Sequence, residues 1–178
     1  KPLVLMTPKS LLRHKLCVSA LEEFSDGTFQ PVINDAAIVD PGVVRRVVLC
    51  TGKIYYDLLA AQSEMDGEDG VALVRVEELY PFPSTELREV LGCYSGVEQV
   101  YWVQEESQNM GAWDFVRSYL DEVIPESCDL DYVGRDEAAS PATGSGQVHL
   151  AEQQEIVSQA LDLRSNGVVL RKVGLGDN

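Results

Sequence analysis

The sequence predicts an α/β fold: a mostly parallel sheet of about five strands between helices, in a three-layer α/β/α arrangement. Three observations predict it. Short β-branched or aromatic runs alternate with longer stretches of helical periodicity, the order in which βαβ units are written. The strand runs are apolar at almost every position rather than at every second one, as strands covered on both faces are. The chain of 178 residues, 45% of them hydrophobic, is long enough for one sizeable core.

Taken in order, residues 3–6 (LVLM) read as a first strand, followed by 46–51 (RVVLCT), 71–76 (VALVRV) and 99–104 (QVYWVQ). These four are apolar enough to be central, and 131–134 (DYVG) supplies a fifth. Helices are expected between them. Residues 52–65 place Ile54, Leu58, Leu59 and Ala61 at helical spacing. Residues 84–94 open on Ser84-Thr85, bury Leu87, Val90 and Leu91, and carry Glu86 and Glu89 in early turns, where the helix dipole favours acids. Residues 109–123 align Trp113, Val116, Leu120 and Val123, and residues 148–163 align Ile156, Val157, Ala160 and Leu161.

Three segments interrupt the alternation. Residues 34–42 form a polar linker ending in the turn Asp40-Pro41-Gly42, and residues 65–70 (MDGEDG) form an acidic turn. Residues 135–146 (RDEAASPATGSG) form a small-residue loop, of a length that compact domains seldom keep without a use. The chain divides into a basic leader (1–40), the α/β domain (41–163) and a C-terminal extension or tail (164–178).

Charge is segregated. The net charge is −15, yet residues 1–16 hold Lys1, Lys9, Arg13 and Lys15 and no acid, whereas residues 17–163 hold seven basic and 28 acidic groups. So acidic a body repels phosphate backbones and anionic lipid, which excludes nucleic acid and membrane surfaces as partners. No apolar run approaches the roughly 20 residues of a membrane helix. Cys17, Cys50, Cys93 and Cys128 are widely spaced, without a CxxC pair, and read as buried thiols in a reducing compartment rather than metal ligands or a disulfide framework. Any targeting segment would precede Lys1.

Catalytic motifs are sparse. His14 and His149 are the only histidines, and GxSxG, HExxH, P-loop and GxGxxG patterns do not occur. No catalytic residue and no metal ligand is expected. Gly144-Ser145-Gly146 suits either an anion cradle or a flexible lead-in to the last helix. Glu105 and Glu106 follow a strand, where α/β folds place ligands, and suit either a proton-sharing pair or, with Ser107, Gln108 and Asn109, a helix cap. In the leader, Pro8 suits a helical first turn and sets Lys9, Arg13 and His14 four to five residues apart. That cluster suits a phosphate or carboxylate, or pairing with the acidic body.

Six stretches, in order, carry a resemblance: TPKSLLRH (7–14), TGKIYYDLL (51–59), VRVEELYPFP (74–83), WVQEESQNMGAW (102–113), YVGRDEAASPATG (132–144) and VHLAEQQEIV (148–157). Over residues 1–163 the chain resembles the C-terminal region of the 2-oxoglutarate dehydrogenase decarboxylating component, a thiamine-diphosphate-dependent, transketolase-like family. The resemblance implies the transketolase C-terminal-domain fold and a parent enzyme that decarboxylates 2-oxoglutarate on thiamine diphosphate with magnesium. That parent passes the succinyl group to the lipoyl arm of a succinyltransferase component, in the tricarboxylic acid cycle, in a bacterial cytoplasm or mitochondrial matrix. The thiamine motif belongs to an earlier domain, and Asp66-Gly67 and Asp69-Gly70 are turn residues without its context.

The resemblance further implies contacts with the remaining domains of the same enzyme, a homodimer, and a border on regulatory sites for a nucleotide or acyl-coenzyme A. Such an effector is expected at Lys9, Ser10, Arg13, His14, Lys15 and Lys53. Structural or domain-interface roles fall to Arg75, Glu77, Glu105, Glu106, Asn109, Gly111, Trp113, Arg135, Ser140 and His149. Ser107 stands where the family usually has proline and Met110 where it usually has glutamine. The alternative reading is a regulatory binding module for an anionic effector, and the acidic surface is a further candidate dock for the succinyltransferase.

Overall fold

The computed structural model describes residues 2–65 and 70–163. After a 3-10 helix at Lys9–Arg13 come α1 (Leu21–Ser25), β1 (Val32–Ile33), a 3-10 turn at Pro41–Val43, β2 (Arg46–Cys50) and α2 (Ile54–Glu64). The chain continues through β3 (Val71–Val76), α3 (Ser84–Gly92), β4 (Gln99–Ser107), α4 (Trp113–Val123), β5 (Asp129–Arg135) and α5 (Gly146–Leu161). The sheet order is β1-β3-β2-β4-β5, with β2 parallel to both β3 and β4, β5 parallel to β4, and β1 antiparallel to β3.

Alternation along the central strands builds two cores at once. Val47, Leu49, Ala72, Val74, Val100 and Trp102 face Leu87 and Leu91 of α3 and Trp113, Val116 and Leu120 of α4. Their neighbours Val48, Cys50, Val71, Leu73, Tyr101 and Val103 face Ile54 and Leu58 of α2 and Ile156 and Ala160 of α5. Each strand is therefore apolar throughout because each of its faces meets a helical layer. The three-layer α/β/α architecture follows.

The first expected strand does not form. Leu3 is 83% exposed and Met6 93%, since no strand among the described residues offers residues 3–6 a ladder. The outer edge of β3 is instead taken by β1, with Val32 opposite Val76 and Ile33 opposite Arg75. Residues 34–42 are more than a linker: Asp35 Oδ2 accepts from the Leu73 amide at 2.9 Å, and the Tyr94 hydroxyl donates to Asn34 Oδ1 at 2.5 Å. Burial, with the charge of Asp35 behind it, pushes the Tyr94 phenol up to about 12.

Other boundaries also move. The helix expected from residue 109 begins at Trp113, because Gly111 adopts φ +68° and closes a turn first. Of the four thiols only Cys50 is buried, and burial raises it to about 12; Cys17 and Cys128 are half-buried and Cys93 is exposed, all four unbridged. Residues 66–69 of the acidic turn and the 164–178 tail lie outside the described residues.

One buried cation ties the last helix to the sheet. Arg46 is fully buried in β2, and its Nε and Nη2 donate to Gln99 Oε1 at 3.0 and 2.8 Å. Its Nη1 donates to the carbonyls of Gln159, Ala160 and Asp162 at 3.3, 3.1 and 3.0 Å, at the negative end of the α5 dipole. The guanidinium lies 4.2 Å from the centroid of the Tyr101 ring. Burial lowers its pKa, against the opposing pull of Tyr101, Asp162 and Asp131.

Candidate functional site

The strand order changes direction between β2 and β4, so the carboxyl ends of these two strands flank the point where α/β sheets open a ligand crevice. Beyond β2 the chain turns through Gly52 at φ +74°, and Lys53 stands at the start of α2. Lys53 Nζ reaches across to Glu105 Oε1 on β4 at 2.5 Å and to Asp57 Oδ2 at 3.3 Å. Gln153 of α5 donates to both carboxylates, at 2.8 Å to Asp57 and 3.1 Å to Glu105. Partial burial of the ammonium lowers its pKa, but Glu105 and Asp57 outweigh this and raise it, so Lys53 stays charged.

The same network continues to β5. Arg135 binds Glu152 through Nε at 2.8 Å, Gln153 Oε1 at 3.1 Å and His149 Nδ1 at 3.1 Å through Nη2, and the Glu105 carbonyl through Nη1. Thr143 Oγ1 donates to Glu152 at 2.8 Å. Arg135 and the Thr143 hydroxyl together hold the Glu152 carboxyl below its ordinary range. Beside this network lies a cavity of about 680 Å³ walled by Arg135, Ser140, Thr143, His149 and several carboxylates, Glu105, Glu106, Glu137 and Glu152 among them. One guanidinium among so many acids makes it a poor seat for an anion.

Chemically, the site cross-links elements. Glu105 and Glu106 have separate partners: the Glu105 side chain meets Lys53, while the Glu106 backbone carbonyl accepts from the Tyr132 hydroxyl at 3.0 Å. The Ser140 hydroxyl donates to the Ala142 carbonyl at 3.0 Å, and His149 meets Arg135 rather than a nucleophile. Among the described residues no group of three or more His, Cys, Asp or Glu side chains is placed to hold a metal ion. No helix among them is long and apolar enough to cross a membrane.

The cap of α4 comes from Gln104, which the sequence reading passed over in favour of residues 105–109. Gln104 is 2% exposed; its Oε1 accepts from Trp102 Nε1 at 3.0 Å and from the Ala112 and Trp113 amides at 3.2 and 3.1 Å. Its Nε2 donates to the carbonyls of Met110, Ser107 and Glu106 at 2.7, 3.2 and 3.4 Å. Gly111 lies against this amide, where a Cβ would stand 2.9 Å from Gln104 Nε2. Its positive φ and this contact both require glycine. The signal in the sequence was a lone polar residue ending an apolar strand.

Asn109 clips the 135–146 loop instead: its Nδ2 donates to the Ala138 carbonyl at 3.0 Å and its Oδ1 accepts from the Ala138 amide at 3.1 Å. The second clip is the Arg135–Glu152–Thr143 cluster. Because the folded pKa of Glu152 is depressed, its stabilising share is complete above the unfolded carboxylate range and is lost as pH falls through the folded value. Acidification through the folded carboxyl's range should therefore lower the protection of amides across residues 135–146, measured relative to their intrinsic exchange rates at each pH. Glu152→Gln should show that lower protection already at pH 7; equal protection of the wild-type loop above and below that range would refute the clip.

The remaining expected site residues are placed as follows. Lys9, Ser10, Arg13 and Lys15 are exposed, and Lys9 and Arg13 lie on a 3-10 helix. At three residues per turn a four-residue step rotates by about 120°, so their spacing does not align them on one face as an α-helix would. His14 packs against Tyr56, ring centroids 5.3 Å apart, and its Nδ1 accepts from the Leu16 amide at 3.3 Å. Lys53, grouped with the leader in the sequence reading, spends its charge on Glu105 and Asp57. Arg75 Nε stands 2.9 Å from Glu77 Oε1, with its guanidinium over the Tyr55 ring. Trp113 is buried against Tyr132, 5.2 Å between centroids.

A family model described as 2-oxoglutarate dehydrogenase C-terminal matches residues 18–161. The chain is similar to the 2-oxoglutarate dehydrogenase E1 component of Geobacillus sp. (strain WCH70), 48% identical over 162 residues, which cover 90% of this chain and 17% of that protein. The corresponding protein of Haemophilus influenzae is 45% identical over 161 residues, again 90% of this chain and 17% of the relative. That of Azotobacter vinelandii is 43% identical over 163 residues, with the same two shares. The chain thus spans 17% of the length of these curated relatives.

Proposed function

The chain belongs to the 2-oxoglutarate dehydrogenase C-terminal family, and from that premise we propose that it is the structural C-terminal domain of a 2-oxoglutarate dehydrogenase. Its task in this reading is to complete the protomer against the enzyme's other domains and to support a homodimer. Decarboxylation of 2-oxoglutarate and succinyl transfer to the lipoyl arm of a succinyltransferase belong to the whole enzyme, in a bacterial cytoplasm or a mitochondrial matrix. Thiamine diphosphate and magnesium would be held by other domains of that enzyme, as the family resemblance implies. A nucleotide or acyl-coenzyme A effector, if the parent takes one, would meet the exposed leader cations Lys9, Arg13 and Lys15 rather than Lys53.

One observation carries the reading. At the switch point, where a catalytic α/β domain holds its ligand open to solvent, the Lys53–Glu105 pair and Gln153 bridge β4, α2 and α5. Supplied with 2-oxoglutarate, thiamine diphosphate and magnesium, the chain alone is expected to release no carbon dioxide. A chimera in which it replaces the matching region of the Haemophilus influenzae E1 component is expected to retain decarboxylation. Turnover by the chain alone, or a folded chimera without activity, would overturn the proposal.

A further inference from the structure

The helices α2 and α5 bury their inner stripes against the sheet, Ile54 and Leu58 from one and Ile156 and Ala160 from the other. Between them, on the side open to solvent, runs a groove of about 710 Å³. Apolar side chains line it: Ala61, Met65, Val157 and Leu150, the last 63% exposed. Its rim is acidic, with Asp57, Glu64 and Asp162 against one lysine, Lys53, which is already paired with Glu105. Gln154 and Ser158, both exposed, add hydrogen-bonding groups along the α5 side.

The chain itself carries a segment that matches this groove in charge, apolarity and reach. Residues 164–178 (RSNGVVLRKVGLGDN) lie beyond residue 161, where the family model ends. They hold Arg164, Arg171 and Lys172 against Asp177, the opposite sign to the rim. Val168, Val169 and Leu170 form an apolar, mainly β-branched run suited to extended backbone, whose polar groups need partners such as Gln154 and Ser158. Leu163, directly before the segment, packs against the core beneath α2 and α5, and Met65, Leu161 and Asp162 line the groove. Ser165-Asn166-Gly167 has the composition of a turn, which allows the chain to reverse there. From Leu161 back to Leu150 a helix runs roughly 17 Å, and six extended residues cover roughly 20 Å.

From this match we propose that residues 168–173 of the chain's own C-terminal segment lie extended in the α2–α5 groove. Val169 and Leu170 meet Val157 and Leu150. Arg164 stands by Glu64 and Asp162, where the two helices end and their dipoles also favour a cation, and Arg171 and Lys172 stand by Asp57. Tethering favours this occupant over a separate one. A segment joined to the groove by a few residues is present there at an effective concentration in the millimolar range, so a weak contact is enough to hold it.

Hydrogen exchange on the intact 178-residue chain tests this. Amides of residues 168–173 are expected to exchange about tenfold or more below their intrinsic rates, at every protein concentration. Leu150→Asp and Glu64→Lys should each return them toward those rates, with circular dichroism of the domain unchanged because both positions are exposed. Amides that exchange at intrinsic rates in the unsubstituted chain, or protection that survives either substitution, would overturn the proposal. So would protection that grows with protein concentration, which would mean that a second copy supplies the groove.

Discussion

Replacing Gln104 with leucine should cost about 3 kcal/mol of folding stability, although the two side chains are of similar size. Leucine fills the space but leaves the Trp102 indole N–H and the first-turn amides of α4 without an acceptor, in a place that water does not reach. The carbonyls of Ser107 and Met110 lose their donor at the same time. Gln104→Glu separates the two halves of the effect. It keeps an acceptor for the three N–H groups, but its second carboxylate oxygen faces the Met110 carbonyl where an N–H stood at 2.7 Å. Urea unfolding at pH 7 should therefore rank the leucine and glutamate variants together, well below wild type. The glutamate variant should recover in acid, where a protonated carboxyl regains a donor. A Gln104→Leu protein within about 0.5 kcal/mol of wild type would show that the amide is not what holds the start of α4.

Arg46→Met is expected to cost about 4 kcal/mol, the scale of removing one member of a buried charged network. Methionine fills much of the space but leaves the last carbonyls of α5 and Gln99 Oε1 without their donor. Arg46→Lys should recover less than half of this loss. A single ammonium cannot serve Gln99 with two N–H groups and three helix-end carbonyls together, nor lie flat over Tyr101. The loss should be localised: amides of the last two turns of α5 exchange faster in both variants, while β2 and β4 keep their protection. Uniform loss of protection across the sheet would mean that Arg46 supports the strands rather than the helix.

Much of the fold was legible because it depends on short-range periodicity. The strands at β2, β3 and β4 and the helices over α2, α3 and α5 each announce themselves within a short window, and the apolar character of almost every central strand position already states that both faces are covered. Where the reading failed, the missing fact was a neighbour. Residues 3–6 have the composition of a strand and no ladder to join, while Val32-Ile33 is a two-residue run that becomes β1 only because β3 has a free edge beside it. The helix expected at residue 109 waits until 113 because Gly111 has to clear the Gln104 amide.

For the site the division is sharper. Lys53, Glu105, Arg135 and His149 were each singled out as residues, but their grouping was misread, with Lys53 assigned to the leader cations and Glu105 to Glu106. The partnership of Lys53 with Glu105 spans two strands that are neighbours in space and separated in the chain by the whole of β3 and α3. Arg46 donates to a carbonyl 116 residues away, and no window of sequence relates them. The sequence by itself determined the family, the α/β order and the segregation of charge, since these are written in local pattern and composition. Only the tertiary structure decided the long-range pairs, Lys53 with Glu105 and Arg135 with Glu152, and the burial of Arg46 under α5, because these depend on distance across the sheet and not along the chain.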